Sequence, residues 1–398
     1  MIENNTTYKF TYKLIFLLLL GIAFTGCKDK FKTEDSFIRI YDDTDVNKNY
    51  YPLSIERTSD QGYITLSAID GWNIHIMKTD WYGNLEWKYE LPSQYVNAVP
   101  HLIERFGNLY FVCMDAVGLY TYIMKIDQSA KNTVIEHTFE EIEYPMCIFD
   151  NETEVYIQNY QKSTFRTGIH QLDNNMTQIL KSGEIDIYTD VESQIINHLN
   201  YTGNRYPFSV SVTPEKNQIL VNGFNNYSFS TVFLDSDLEF TGVYNGAAFN
   251  GGLSAILPLG SNKYSLARFS FSDMYVNPNA YLSSDTIEIV ESIPALINPE
   301  LDADSPVLIK KLNINFQEHI VYLATTKSNQ LLLTFYLEGS DEVAATKYIG
   351  QNTPLEACDF EKTDDGGLMI LARTTVLGSF NRIALIKYSK EELNAMAD

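Results

Sequence analysis

Cysteine is scarce in this chain, with four in 398 residues, at positions 27, 113, 147 and 358. Cys27 stands apart near the start. The other three cannot close a disulfide framework and none lies in a CxxC spacing, so the sequence carries no visible zinc site. Each of the three sits in or beside an apolar run, which makes buried thiols the expectation. Histidine is sparse too, six residues without an HxH or HExxH pair, and lone strand histidines such as His75 and His170 read as structural. Positive charge is outnumbered: 29 Lys and Arg face 51 Asp and Glu, a formal −22. The first 26 residues hold two Lys and one Glu, so the remainder has 27 basic against 50 acidic residues, or −23. Such a surface repels phosphate backbones and excludes nucleic acid as a partner. The acidity has no long runs and 45% of residues are hydrophobic, which excludes a disordered acidic tail. Helical periodicity is slight, and no nucleophile–base motif or phosphate loop appears.

What the chain does have is a unit repeated at both ends. Near the start stands Thr58-Ser59-Asp60-Gln61-Gly62-Tyr63, followed by Ile74-His75-Ile76-Met77-Lys78-Thr79-Asp80. Near the finish stands Thr363-Asp364-Asp365-Gly366-Gly367-Leu368, followed by Ile383-Ala384-Leu385-Ile386-Lys387-Tyr388-Ser389. A unit shared by the two termini points to a repeat architecture that closes on itself. Between them, short apolar runs rich in Tyr, Phe, Ile, Val and Thr alternate with Asn, Asp, Gly and Ser clusters, which is strand-and-turn patterning. A short strand ending on an acidic or polar turn residue recurs at 80, 127, 173, 235, 285, 338 and 389, with gaps of 47, 46, 62, 50, 53 and 51 residues. The reading is all-β: a closed β-propeller of seven four-stranded blades, with six or eight as the alternatives. The last unit runs out at Tyr388 before a fourth strand, and Phe37-Ile38-Arg39-Ile40-Tyr41 is the unmatched strand at the other terminus. An N-terminal strand completing the last blade would hide the sheet edges. The long gap holds an insertion at about 182–206, with Thr189 and Glu192 spaced as a capping box for a short helix through His198. In the turn Asp80-Trp81-Tyr82-Gly83-Asn84, Asp suits backbone donors and Gly a positive φ.

Residues 1–26 read as an address. Lys9 and Lys13 precede an apolar run over 14–24, which at ~1.5 Å per residue is too short to span ~30 Å of hydrocarbon. Phe24-Thr25-Gly26-Cys27 resembles a bacterial lipobox, with Phe where Leu is usual. The resemblance implies that Cys27 is the lipidated first residue of the mature chain, followed by a tether over 27–35 and the propeller domain over 36–398. Two acyl chains hold a protein at a membrane where one is marginal. Lys28-Asp29-Lys30 resembles the surface-export signal of Bacteroidota lipoproteins, and the Asp-Gly-Gly, Ile-x-Leu-Ile-Lys-x-Asp and Gly-Asn-x-x-Trp pattern resembles a β-propeller repeat of secreted Bacteroidota proteins. These likenesses imply an outer-membrane, surface-exposed lipoprotein, with the membrane as one partner and a glycan or protein ligand as the other.

The loops between second and third strands are where a ligand is expected. By the repeat spacing they carry Trp72; Tyr160, Phe165 and Arg166; Asn225, Asn226 and Tyr227; Asp273, Met274 and Tyr275; and Phe380, Asn381 and Arg382. Rings beside amides, carboxylates or Arg suit sugars and peptides. The binding set is therefore Trp72, Tyr160, Phe165, Arg166, Tyr227, Tyr275, Phe380 and Arg382. No catalytic residue, metal ligand or cofactor is assigned. Asp43-Thr44-Asp45-Val46-Asn47 has the alternating oxygens of a calcium loop, but Lys48 and Ser54 stand where Gly and Glu belong, so a linker turn is the reading and calcium the alternative. The 79–87 stretch is similar to the turn motifs of sialidase and quinoprotein blades without their spacing, and reads as structural. Two functions stay open: a non-enzymatic binding module, which is favoured, and a propeller-type polysaccharide hydrolase using carboxylates in a central funnel.

Overall fold

A computed structural model describes residues 36–41, 47–151, 153–213, 218–248, 250–260, 262–376 and 380–397. The leader, Cys27 and its tether, and residues 43–46 of the candidate calcium loop lie outside the described residues. The strands Tyr50–Arg57, Tyr63–Ile69, Asn73–Thr79 and Leu85–Glu90 form an antiparallel meander. Its second strand is buried at every position, whereas the fourth is exposed or half-buried at every position. A strand covered on both faces tolerates apolar residues throughout, while an outer strand meets water. The same antiparallel meander recurs over 103–143, 145–186, 209–245, 251–298 and 307–349. The two-residue strand Tyr95–Val96 joins the first two meanders into one hydrogen-bonded sheet, and the short strand Ile287–Ile289 adds a parallel edge to the 209–245 meander. The last sheet holds Leu355–Lys362, Leu368–Val376 and Phe380–Tyr388, and its outer strand is Phe37–Tyr41 from the other terminus.

Core residues lie between meanders rather than within one. Leu66 and Ile76 meet Phe111 and Cys113; Val112 and Ile123 meet Ile148 and Ile157; Tyr156 and Ile169 meet Val221 and Val232. Leu220 and Phe233 then meet Leu253 and Leu266, Ala267 and Val276 meet Ile320 and Tyr322, and Leu323 and Phe335 meet Ile370 and Ala384. Met369 and Leu385 of the last sheet pack on Tyr63 and Met77 of the first. The fold is all-β and propeller-like. Cys113 is buried, Cys147 and Cys358 are half-buried, and all three thiols are free. Burial pushes the Cys147 and Cys358 thiols up to about 12, so they are inert at neutral pH.

The N-terminal strand pairs with the last strand from Phe37↔Lys387 to Tyr41↔Ile383. The 80–84 turn of the first meander clasps it: the Tyr41 hydroxyl donates to the Gly83 carbonyl at 2.7 Å, and Arg39 Nε donates to the Tyr82 carbonyl at 2.7 Å. Gly83 has φ +72, and a Cβ there would lie 2.7 Å from the Phe37 ring, so both backbone and packing require glycine.

The terminal repeats have a common physical meaning. Asp60 accepts from the Thr58 hydroxyl and the Gly62 N–H and receives the Lys78 ammonium at 2.9 Å. Asp365 likewise accepts from Thr363 and Gly367, and lies 3.6 Å from Lys387. Both lysine side chains are almost fully buried, 2% and 1% exposed, so each carboxylate is the counter-ion of an interior charge. Lys387 also sits 3.3 Å over the Trp81 ring, which stacks on Tyr63. The aspartates that end third strands close turns: Asp80, Asp127, Asp173 and Asp235 each accept at least two backbone N–H groups from the following residues. The landmark expected at Asp285 is displaced, because that third strand ends at Tyr281 and the chain then crosses to the neighbouring meander.

Candidate binding end

In an antiparallel meander the second-to-third turn and the link to the next meander fall at one end, and the other two turns at the opposite end. The long link over 187–208 is therefore at the end of the second-to-third turns. It begins later than the expected 182, because Ile179–Asp186 is a strand. Its helix, Glu192–Leu199, lacks the expected capping box: the N-cap is Val191 with no side-chain bond, and Asp190 Oδ1 instead accepts the Glu192 N–H at 2.9 Å. Thr189 stands too far from the helix start to serve.

The helix buries Ile195, His198 and Leu199, a 3–4 spacing that makes one stripe. Its Ile195 and Leu199 pack with Val96 of the joining strand and with Met114, Met146, Tyr160, Phe224 and Phe229 from three meanders. Beyond the helix, the Tyr201 N–H donates to the Gly71 carbonyl at 3.2 Å and its hydroxyl to the Ala98 carbonyl, and Arg205 lies 4.0 Å over the Tyr201 ring. His198 Nδ1 accepts the Tyr206 N–H at 3.0 Å; burial, then the Arg205 charge, hold this imidazole well below its ordinary pKa. The link is thus fastened down. Its outer face shows Ser193, Gln194, Ile196, Asn197 and Asn200 along an open concavity of about 520 Å³.

The expected binding residues divide. Trp72, Phe165 and Tyr227 stand on second-to-third turns and are 41%, 38% and 57% exposed. Tyr227 stacks on Tyr188 of the link, centroids 6.0 Å apart at 29°, and Tyr188 is itself 60% exposed. The Tyr188 hydroxyl donates to Asp186 at 3.1 Å, and Arg166 pairs with Asp186 at 2.7 Å and with Glu184. Phe165, Arg166, Tyr188 and Tyr227 are brought to one place. Tyr160 is not at the surface: it lies inside strand Val155–Gln161, wholly buried, with its hydroxyl on Asp190 at 3.1 Å. Arg382 is also interior, donating to the Lys48 and Asn381 carbonyls. Tyr275 and Phe380 are half-buried strand residues, stacked under Arg268 and Arg382 respectively. The repeat alignment set these loops a few residues off, and so missed Phe271, 71% exposed on its turn. Tyr188 was missed because it belongs to no repeat.

The inner strands carry a second constellation. Lys310 lies 3.1 Å from Asp359 and 3.0 Å from Glu361, and Asp359 also accepts the Ser54 hydroxyl and the Ile55 N–H at 3.1 Å. Glu56 lies within their field, and burial, then the Glu361 charge, push its pKa up to about 7. Among the described residues no group of three or more His, Cys, Asp and Glu is disposed to hold a metal, and no helix is long and apolar enough to cross a membrane. His170 is held by Ser182 at 2.9 Å and Asn159 at 3.1 Å, and burial lowers its pKa to about 4.

No family model and no curated protein matches the chain. Among solved structures it is similar to Kuenenia stuttgartiensis hydrazine synthase, with 11% identity over 80% of this chain and 92% of that one at a TM-score of 0.48. It is also similar to an oligogalacturonate lyase from Vibrio parahaemolyticus, with 9% identity over 89% and 97% at 0.47. A third is a quinohemoprotein alcohol dehydrogenase from Pseudomonas putida, with 12% identity over 88% and 76% at 0.43.

Proposed function

We propose that this chain is a surface-exposed lipoprotein, anchored to the outer membrane through Cys27, whose domain binds a glycan without turning it over. In this reading each meander is a blade and seven blades close into a ring. The cyclic run of core clusters supports closure, since the last sheet packs on the first and takes its outer strand from the N-terminus. The observation that carries the binding reading is the exposed Tyr188–Tyr227 stack, with Phe165, Arg166 and Asp186 beside it. Rings supply area at low entropy cost, and the polar pair supplies hydrogen bonds in the plane of a sugar's hydroxyls. The test is a glycan array probed with residues 36–398, together with Cys27→Ser in whole cells. Binding that Tyr227→Ala removes, and release of the Cys27→Ser protein from membranes, are expected. An array without a hit, or unchanged membrane partitioning, sinks the corresponding half.

Glu56 favours a second reading, a polysaccharide hydrolase. A carboxyl with a pKa near 7 beside two carboxylates has the makings of an acid–base pair. Release of reducing ends by the wild-type protein, lost in Glu56→Gln, would replace the binding reading with this one.

A further inference from the structure

Basic groups at the binding end are nearly all spoken for. Arg166 is paired with Glu184 and Asp186, Lys162 with Glu192 at 2.8 Å, and Arg373 with Glu356. Arg268 differs. It sits in strand Lys263–Ser270, three residues before exposed Phe271, and is only 8% exposed. Among the described residues it makes no ion pair or hydrogen bond, and its Nε is enclosed without a partner. Its one contact partner of note is the ring of Tyr275, the residue opposite it in register, with the guanidinium 4.0 Å from the centroid. Glu291, on the turn Val290–Ser292, adds its field without an ion pair.

A guanidinium largely withdrawn from water, with Nε enclosed and no carboxylate at ion-pair distance, is costly, and the Tyr275 ring and the field of Glu291 offset only part of that cost. Surface exposure does not explain it, and neither does a structural bond. A chain carrying −23 beyond its leader would also repel an anionic ligand unless a cation were kept for it. A planar two-oxygen anion matches the guanidinium fork. We propose that Arg268, positioned by Tyr275, is the subsite for a carboxylate-bearing sugar residue. The inference rests on the glycan reading above and narrows it to acidic glycans.

The experiment titrates the detergent-solubilised full chain with glucuronate- and galacturonate-containing oligosaccharides and with their carboxyl-reduced counterparts, which differ only in the anion. The wild type is expected to bind the acidic members at least tenfold more tightly. Arg268→Gln should erase that preference, bringing the acidic members to the affinity of the neutral ones. Arg268→Lys, which keeps the charge and loses the fork, should retain part of it and serves as the folded control should the Gln variant fail to fold. Sodium sulfate at equal ionic strength should compete poorly. Equal affinity for acidic and reduced members, a preference that survives in Arg268→Gln, or equally strong competition by sulfate overturns the inference and leaves the glycan reading standing. If no oligosaccharide binds, acidic or neutral, the glycan reading falls and takes this one with it.

Discussion

The two ends of the domain draw on the same residue types and use them in opposite ways. At the end of the first-to-second and third-to-fourth strand turns, Asp80, Asp127, Asp173 and Asp235 spend their oxygens on their own turns, and Asp60 and Asp365 face buried lysines. Rings there are either packed, as Trp81 is under Lys387, or single, as Phe106 and Phe316 are on their turns. Single exposed apolar side chains are ordinary. At the other end, two tyrosines stack in solvent, a helix presents a row of amides, and Arg268 keeps an unpaired Nε. Aspartates consumed by their own turns mark scaffold; the solvent-facing ring stack is the feature on which the binding reading rests.

The contrast breaks most severely if the scaffold end is cut. Deleting residues 36–41 removes the outer strand of the last sheet and the partner of the 80–84 turn, exposing an edge that pairs with nothing. A loss of several kcal/mol, or failure to fold, is expected in denaturant titrations; a truncated chain that melts like the parent would refute the closure. Next in size is Asp365→Ala. It strips a counter-ion from an ammonium only 1% exposed, and removing one partner of a buried pair costs about 3–5 kcal/mol. The Trp81 ring offsets part of this, so about 2–4 kcal/mol is expected. Loss below 1 kcal/mol would show that the terminal repeat is not held together by its buried lysine.

How much of this was legible in the sequence follows the same division. The terminal repeat could be read because its residues are fixed by local needs: Asp80 by its turn, Gly83 by its φ, Lys78 and Lys387 by carboxylates a short way along the chain. The pairing of Phe37–Tyr41 with the last strand was legible because a strand was missing at one terminus and spare at the other. The binding end was harder. Second-to-third turns differ in length, so counting from the repeat set Tyr160 and Arg382 among loop residues, although both lie within strands that are covered on both faces. Tyr188 was invisible, since a partner 39 residues away is a fact of packing that no spacing rule encodes, and Arg268 was missed because its turn lies a few residues earlier than the repeat spacing set it.

Glu56 tests whether the inner carboxylates are scaffold too. Its pKa is raised to about 7 from an ordinary 4.5, so between these values the folded state holds a proton that the unfolded state has released. Its contribution to stability is therefore lost as pH rises from about 4.5 to about 7, and above that an ionised, half-buried carboxylate is carried at a cost that solvent partly screens. Glu56→Gln removes the titration. The variant should match the wild type at pH 4.5 and exceed it by about 1–3 kcal/mol at pH 8, read as a difference in melting temperature. A variant that is less stable at pH 8 would mean that ionised Glu56 is needed by Lys310 or by a ligand.

The smallest effect on stability should come from the side chain expected to matter most for binding. Tyr227 is 57% exposed and stacks on a ring that is 60% exposed, so truncating it removes little buried area. Its φ of +64 is unfavourable for any residue with a Cβ, and alanine inherits that strain unchanged. Tyr227→Ala should therefore shift stability by no more than about 0.5 kcal/mol, as surface substitutions do. In binding, a truncated interface aromatic that acts as a hot spot costs about 2 kcal/mol or more, roughly thirtyfold in affinity. Trp81→Ala inverts the pair, losing stability through Tyr63 and Lys387 while sparing the ligand. Melting curves and glycan titrations on the two variants thus cross. If Tyr227→Ala melts early, or if both variants weaken binding alike, the end with the stacked tyrosines is scaffold as well, and the site must be sought among the inner carboxylates around Lys310.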